Sequence, residues 1–493
     1  MHRTASLPLA GGTLALAALL AVLLAGCAAL GPVSGPGTTS SPTPAATTLP
    51  AQWAGAGAVS HLTAADPAAT RDWWQGFDDP LLPTLIDQAL AHNLDLASAR
   101  SKLARARALR ELTAATQEPQ IGLGAGAGRS RSGGRSGDSL RVGLDASWEA
   151  DLFGAHAAAL TAADADVEDA AAMLQATRLA IAAETGLAYL QWQGARAQQA
   201  AAETSLASQQ QTRALVELRE RSGLAGGLEV EQAGSAVLQL QARLAALQHA
   251  QTQALHALAV LTGTNASETP PWLAAARARA ADAVARAPAL PALPQPAALL
   301  QRRPDLQAAE HRIESQLATL SLREAERRPS LRISGNLGLQ AATLSALGGS
   351  GALVAGLTAA INWPLLDGGA GKARVEAQQT ALDAARIDWQ AAVLAASRDV
   401  EDALSALATA REREATLQRA SVTAGEALRL ARIGHEAGLS DFLNLLDAER
   451  SALSAADALA TARTDLASSH IRLYKALGGG WHDPDPDARS PRP

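Results

Sequence analysis

Leu140–Gly154 reads LRVGLDASWEADLFG, and Ala355–Gly369 reads AGLTAAINWPLLDGG. In the first, Leu140, Val142, Leu144, Ala146 and Trp148 alternate with Arg141, Gly143, Asp145 and Ser147. In the second, with Leu353 just before it, Leu353, Ala355, Leu357, Ala359, Ile361 and Trp363 fall on one parity. A period of two makes a strand with one apolar and one polar face. After each tryptophan the pattern turns helical and stays so until a Gly-Leu pair. The copies keep register: 363 − 148 = 215 for the tryptophans, and 438 − 223 = 215 for the glycines that end the helices. Leu224 and Leu439 share that offset. The chain is therefore organised around Leu140–Gly223 and a second copy at Gly351–Gly438, an internal two-fold repeat.

Gly154–Ser222 has no proline and hardly any glycine, and helix formers fill it. At 1.5 Å per residue, roughly 68 residues reach about 100 Å. Charges recur along it, which excludes a membrane-spanning helix, and alanine allows close helix approach. A return helix is predicted over about 228–261. The second copy predicts helices over about 371–437 and from Asp441 to Gly478-Gly479-Gly480-Trp481. Upstream, one helix is expected from Pro83 to about Ala115, with Leu85, Ala89, Leu96, Leu103 and Leu109 as its apolar stripe. Trp73-Trp74 reads as a packing plug at its start. Another helix ends near Arg327, with Pro304 and Asp305 in its first turn.

Two strands are expected at about 119–148, joined by a polar Gly/Ser/Arg loop, and two at about 330–363. They suit an outer-membrane crossing with lipid on one face and water on the other. A soluble hairpin with one dry face is the alternative, which repetition of the whole motif opposes. Trp148 and Trp363 sit where interfacial aromatics belong. The fold class is mostly α with membrane β: long antiparallel helices continuing four strands per chain. Four strands cannot close, and membrane edges must be paired. Two chains give eight strands, whose lumen side chains would fill; three give twelve and leave a conduit.

The N-terminus has a short apolar run, Leu14–Ala25, right for a signal peptide and short for a spanning helix. It ends in Leu24-Ala25-Gly26-Cys27, with the only cysteine of the chain. Small residues before a lone cysteine resemble a bacterial lipobox, which implies cleavage before Cys27 and a lipidated N-terminus. An ordinary signal peptide with an incidental thiol is the alternative. The expected organisation is signal peptide 1–26, lipidated and flexible tether 27–63, first repeat 64–265, Pro-rich low-order connection 266–296, second repeat 297–481 and tail 482–493.

A net charge of −6 calls for no polyanionic partner. Aromatic content of 3% is too low for a nucleic-acid stacking platform. One cysteine excludes a Cys-cluster metal site. No Ser/His/Asp spacing or phosphate loop stands out, and His249, His256 and His435 are read as lying on wet helix faces. No enzyme, metal or cofactor is expected beyond the covalent lipid on Cys27.

Trp73-Trp74 with Asp79-Pro80, Arg302-Arg303-Pro304-Asp305-Leu306, the Gly-Leu turns, Leu443–Glu449 (LNLLDAE) and Gly478–Trp481 together resemble the TolC family of outer-membrane efflux channels, in its lipoprotein (NodT/OprM-like) branch. The resemblance covers Trp73 to Trp481. It implies a homotrimer with a 12-stranded barrel atop a periplasmic helical tunnel. Such a duct receives small molecules from an inner-membrane RND-type pump through a periplasmic adaptor. It also implies that Asp447 and Arg450 hold the positions of a gate carboxylate and its basic partner at the periplasmic tip. Spaced i,i+3, they can face one lumen; a routine surface pair has the same spacing. Their counterparts in the first copy are Gln232 and Ser235. Gly223, Leu224, Gly438 and Leu439 are candidates for adaptor docking, and simple hairpin geometry explains the glycines equally well. His435 stands where the family has a tip tyrosine, and Arg327-Arg328 where it has Phe-Phe. Two rivals are a periplasmic adaptor or scaffold with coiled-coil hairpins and a duct for protein or peptide secretion.

Overall fold

A strand pair, a very long helix and a shorter return helix occur twice in chain order. The computed structural model describes residues 50–59, 73–268, 271–280, 284–286 and 293–479. Cys27, the signal peptide, Trp481 and the 482–493 tail lie outside the described residues.

In chain order the elements are α1 (Leu81–His92), α2 (Leu94–Gln117), β1 (Gln120–Ser132), β2 (Arg135–Ala150), α3 (Ala155–Arg221), α4 (Gly227–Leu261), α5 (Trp272–Ala278), α6 (Pro304–Ala325), β3 (Ser330–Ala341), β4 (Leu353–Asn362), α7 (Ala370–Glu436) and α8 (Phe442–Ala476). The long helices α3 and α7 each have 67 residues, and the return helices α4 and α8 each have 35. Their first residues are offset by 370 − 155 = 215 and 442 − 227 = 215. Helix α3 is the hub, packing against α1, α2, α4, α6 and α8, while α7 packs on α6 and α8.

The strands form one antiparallel sheet in the order β1-β2-β3-β4. Register carries the apolar parity across all four: Leu123, Leu144, Leu337 and Ala355 lie side by side, as do Ala125, Val142, Leu339 and Leu353. The other face carries Gly122, Asp145, Asn336 and Gly356 in the same row. Both faces are largely open; Leu123 is 77% exposed and Leu357 82%. The polar Gly/Ser/Arg stretch is not a loop. It extends both strands, and only Gly133 and Gly134, each at positive φ, make the two-residue turn.

Helical packing concentrates well away from the sheet. Trp73, Trp74, Leu82, Leu85 and Ile86 are buried against Ile181–Trp192 of α3 and Ile471 and Tyr474 of α8. Trp73 stacks on Tyr474 with centroids 5.6 Å apart, and burial pushes the Tyr474 hydroxyl up to about 12. The buried Asp79 carboxylate accepts from the Leu81 amide at 2.9 Å, Tyr189 Oη at 3.1 Å and Gln193 Nε2 at 2.6 Å. Arg279 completes its shell at 3.3 Å. Burial, reinforced by the Asp79 charge, raises the Tyr189 hydroxyl well above its ordinary value.

Three expectations need correction. The helix expected from Pro83 to Ala115 is two helices, because Asn93 leaves the helical conformation to cap α2, accepting from the Asp95 and Leu96 amides at 2.9 and 3.1 Å. The 266–296 connection is not all low-order: α5 sits inside it and buries Trp272, Leu273 and Ala276 in the core. The tether expected to run to residue 63 is docked at Trp53, which is 5% exposed and donates Nε1–H to the Pro294 carbonyl at 2.8 Å. There the Glu401 carboxylate accepts from the Ala54 and Gly55 amides at 2.7 and 2.9 Å.

The Arg303 motif closes the second half. Its guanidinium forks onto Asp305 at 2.7 and 3.0 Å, reaches Asp399 at 3.4 Å and donates to the Ala476 carbonyl at 3.3 Å. It thereby ties the start of α6 to the middle of α7 and the end of α8. Gly478 must be glycine here, with φ +74 and the Arg302 carbonyl 2.8 Å from where a Cβ would stand.

Asp79→Ala leaves two buried donors, on Tyr189 and Gln193, without an acceptor and removes the carboxylate from half-buried Arg279. It is expected to cost about 3 kcal/mol, read as a fall of several degrees in the thermal unfolding of the purified protein.

Candidate functional site

The two hairpin ends form the candidate site. Helix α3 reverses into α4, and α7 into α8, through turns of one geometry. The Leu224 amide donates to the Arg219 carbonyl at 2.8 Å and Gly223 to Glu220 at 2.9 Å. Likewise Leu439 donates to Gly434 at 2.7 Å and Gly438 to His435 at 3.1 Å. Each is a left-handed helix stop that satisfies the last carbonyls and needs glycine at positive φ, here +72 and +71. Leu224 and Leu439 project from the turns, 73% and 85% exposed.

Behind the turns, Val216 of α3, Ala233 and Ala236 of α4, and Phe442 and Leu446 of α8 form a small apolar core. It joins the first hairpin to the second. Two polar links flank it, both from α3. Arg219 Nη1 lies 3.0 Å from His435 Nε2. Arginine can only donate, so Nε2 accepts, and Nδ1–H is left to donate to the Ser440 carbonyl at 3.3 Å. That fixes a neutral tautomer. His435 is buried, at 4% exposure, with its ring edge-on to Phe442. The wet-face expectation for His435 is therefore corrected: the turn after α7 folds Phe442 back over the ring. His249 and His256 are exposed as expected.

The second link centres on Glu449, which is 2% exposed. Its Oε1 accepts from Ser208 Oγ and Thr212 Oγ1 of α3, each at 2.9 Å. Arg432 of α7 bonds Ser208 Oγ and lies 3.9 Å from Glu449 Oε1. Glu449 Oε2 is buried with no hydrogen-bond partner among the described residues. Three helices thus meet at one carboxylate.

Asp447 and Arg450 are placed differently. Both are exposed on α8, and neither forms an ion pair with the other or with any described residue. Gln232 is half-buried and Ser235 exposed at the matching positions of α4. Sequence reading singled out Asp447 and missed its neighbour Glu449. A signal was present: Phe442, Leu445, Leu446 and Glu449 fall at i, i+3, i+4 and i+7, so Glu449 continues the buried stripe and Asp447 lies off it.

The interfacial candidates sit at the opposite end of the long helices. Trp148 is 39% exposed and donates Nε1–H to the Gln117 carbonyl at 3.0 Å; Trp363 is 55% exposed just past β4. Among the described residues no group of three His, Cys, Asp or Glu side chains could hold a metal ion, and no helix is long and apolar enough to cross a membrane.

Comparison with known proteins places this geometry. Residues 85–264 and 295–479 match the model of a family described as outer membrane efflux protein. The chain is 30% identical over 447 residues to outer membrane protein OprJ of Pseudomonas aeruginosa, across 87% of this chain and 90% of OprJ. It is 31% identical over 447 residues to a probable efflux pump outer membrane protein, TtgC, of Pseudomonas putida, across 88% and 90%. Among solved structures, the outer-membrane channel OprN superposes with a TM-score of 0.77 at 32% identity, covering 85% of this chain and 97% of OprN.

Glu449→Ala removes the acceptor of one buried and one half-buried hydroxyl, Thr212 and Ser208, and the anion facing Arg432. Freeing them costs about 1–3 kcal/mol, so the α3–α8 contact should open about tenfold more often. Trypsin cleavage at Arg219 and Arg221 should accelerate accordingly, while Arg450→Ala leaves it unchanged.

Proposed function

This chain belongs to the outer membrane efflux protein family, and on that premise we propose that three copies assemble into a passive duct of a tripartite, RND-type efflux system. It is a channel component and not an enzyme. The observation that carries the reading is the open sheet. One face of it is apolar across all four strands, and its two edges lack partners among the described residues. Such a sheet satisfies its backbone in lipid only by joining further copies into a closed barrel. Three copies give 3 × 4 = 12 strands. Helices of 67 residues extend about 100 Å from it, a length suited to crossing the periplasm toward an adaptor and an inner-membrane pump.

The equal lengths and common offset of the two helical hairpins support an internal duplication. In the assembly, Asp447 and Arg450 line the narrow periplasmic end, where carboxylates from three chains form a ring that favours cations. The Glu449 and His435 links hold the second hairpin against the first, and opening requires both to shift, a change between two packings. Leu224 and Leu439, projected by Gly223 and Gly438, are the docking points for the adaptor. Cys27 carries the lipid anchor and the protein uses no other cofactor. Its place is the outer membrane of a Gram-negative bacterium. An adaptor with coiled-coil hairpins would have no use for a two-faced, four-stranded sheet.

Purified in detergent, the protein should have the mass of three chains. Asp447→Ala should raise single-channel conductance in planar bilayers; an unchanged conductance would remove Asp447 from the gate. Cys27→Ser should abolish incorporation of labelled palmitate in cells, and retained label would place the lipid elsewhere.

A further inference from the structure

We propose that a basic cleft at the junction of strand β4 and helix α7 binds the phosphate headgroup of an anionic phospholipid. The cleft, about 740 Å³, lies between the end of α6, the Trp363–Gly369 connection and the first turn of α7. It is lined by five cations, Arg323, Arg327, Arg328, Lys372 and Arg374, and three carboxylates, Glu324, Glu326 and Asp367, an excess of 5 − 3 = 2 positive charges.

Two of the three carboxylates are already held by groups of the cleft itself. Glu326 is held by Arg323 at 2.8 and 3.0 Å. Asp367 accepts from the Gly371 and Gly369 amides at 2.5 and 2.9 Å; these bonds, with Arg374 nearby, hold it below the usual carboxylate range. Lys372 pairs with Glu376 at 3.4 Å on the exposed side of α7. Arg327 and Arg328 form no ion pair with any described carboxylate, and Arg328 is steadied over the Phe153 ring at 5.5 Å. Two arginine forks beside an excess of charge match a phosphate, which takes two N–H donors from each planar guanidinium.

The surroundings select a lipid over a free anion. The apolar row Leu353, Ala355, Leu357, Ala359, Ile361 and Trp363 runs down β4 to the rim of the cleft. Beyond it Leu365 and Leu366 are 72% and 98% exposed. A phospholipid with its phosphate on Arg327 and Arg328 lays its acyl chains along that row, with Trp363 at the boundary. A free phosphate has no use for the apolar shelf. The diarginine also answers the departure at the strand start, where the resemblance called for Phe-Phe: these side chains face the headgroup layer. This inference rests on the proposed membrane placement of the sheet.

The full chain, purified in nonionic detergent, is incubated with phosphatidylglycerol or phosphatidylcholine, and retained lipid is counted by native mass spectrometry. Phosphatidylglycerol should be retained about tenfold over phosphatidylcholine. The double variant R327Q/R328Q should lose that preference with its assembly mass unchanged, whereas R419Q, on an exposed face of α7, keeps it. Excess inorganic phosphate should not displace the lipid. Equal retention by the wild type and R327Q/R328Q overturns the site, and so does full displacement by inorganic phosphate, which would make it a free-anion site. If R327Q/R328Q does not assemble, the single variants R327Q and R328Q, each expected to weaken the preference, decide between the same outcomes. Failure of the membrane placement itself would appear separately, as a Cys27→Ser chain, which has no lipid of its own, that does not float with vesicles.

Discussion

Each strand of the sheet is satisfied by its neighbours except at two edges. Among the described residues β1 pairs only with β2, and β4 only with β3. In water such edges can hydrogen-bond to solvent; in hydrocarbon every unpaired amide and carbonyl costs several kcal/mol. The sheet also has no dry side of its own, since no helix among the described residues covers its apolar face. A chain with these two deficits is incomplete as a membrane body. Everything below the sheet can then be understood as a stem that adds length without needing a large core of its own.

That stem is built economically. α3 touches five other helices, and much of its buried surface is alanine, which lets helices approach closely while polar side chains stay wet at the margins. Bulky packing is confined to a few places. One is the tryptophan cluster around Trp73 and Trp192, and another is the Trp53–Leu306–Leu404 cluster. The third is the small group at the hairpin ends. Between them the helices are held by spaced polar contacts such as Gln198 to Thr461 and Arg243 to Asp457. A stem fixed firmly at mid-length and lightly at its end is one whose end is free to rearrange at small cost.

Much of this was legible in the sequence. Period-two parity, a proline-free run of helix formers and glycine stops are local signals, and they located the strands, both long helices and both turns. What failed was decided by distant contacts. Nothing near Trp53 reveals that Pro294 and Glu401 wait for it, so a Pro/Thr/Ser-rich stretch read as loose throughout. α5 is a short helix between prolines, held by its one tryptophan. The break at Asn93 depends on a cap that competes with an otherwise unbroken helical pattern. At the tip the reading followed charge, Asp447 and Arg450, where the buried stripe of α8 would have led to Glu449. His435 looked solvated because its shield, Phe442, lies beyond a turn.

The two helical hairpins match in length residue for residue, yet their ends differ in chemistry. Glu449 has Gly234 at the same offset, His435 has Glu220, and Arg432 has Glu217. In a three-chain assembly the result is a crown of six hairpins that are alike in reach and alternate in character. A partner that senses only backbone shape and the projecting leucines would find six equivalent footholds. One that senses charge would find three. The same crown can therefore present one symmetry to whatever grips it from outside and another to whatever passes through it.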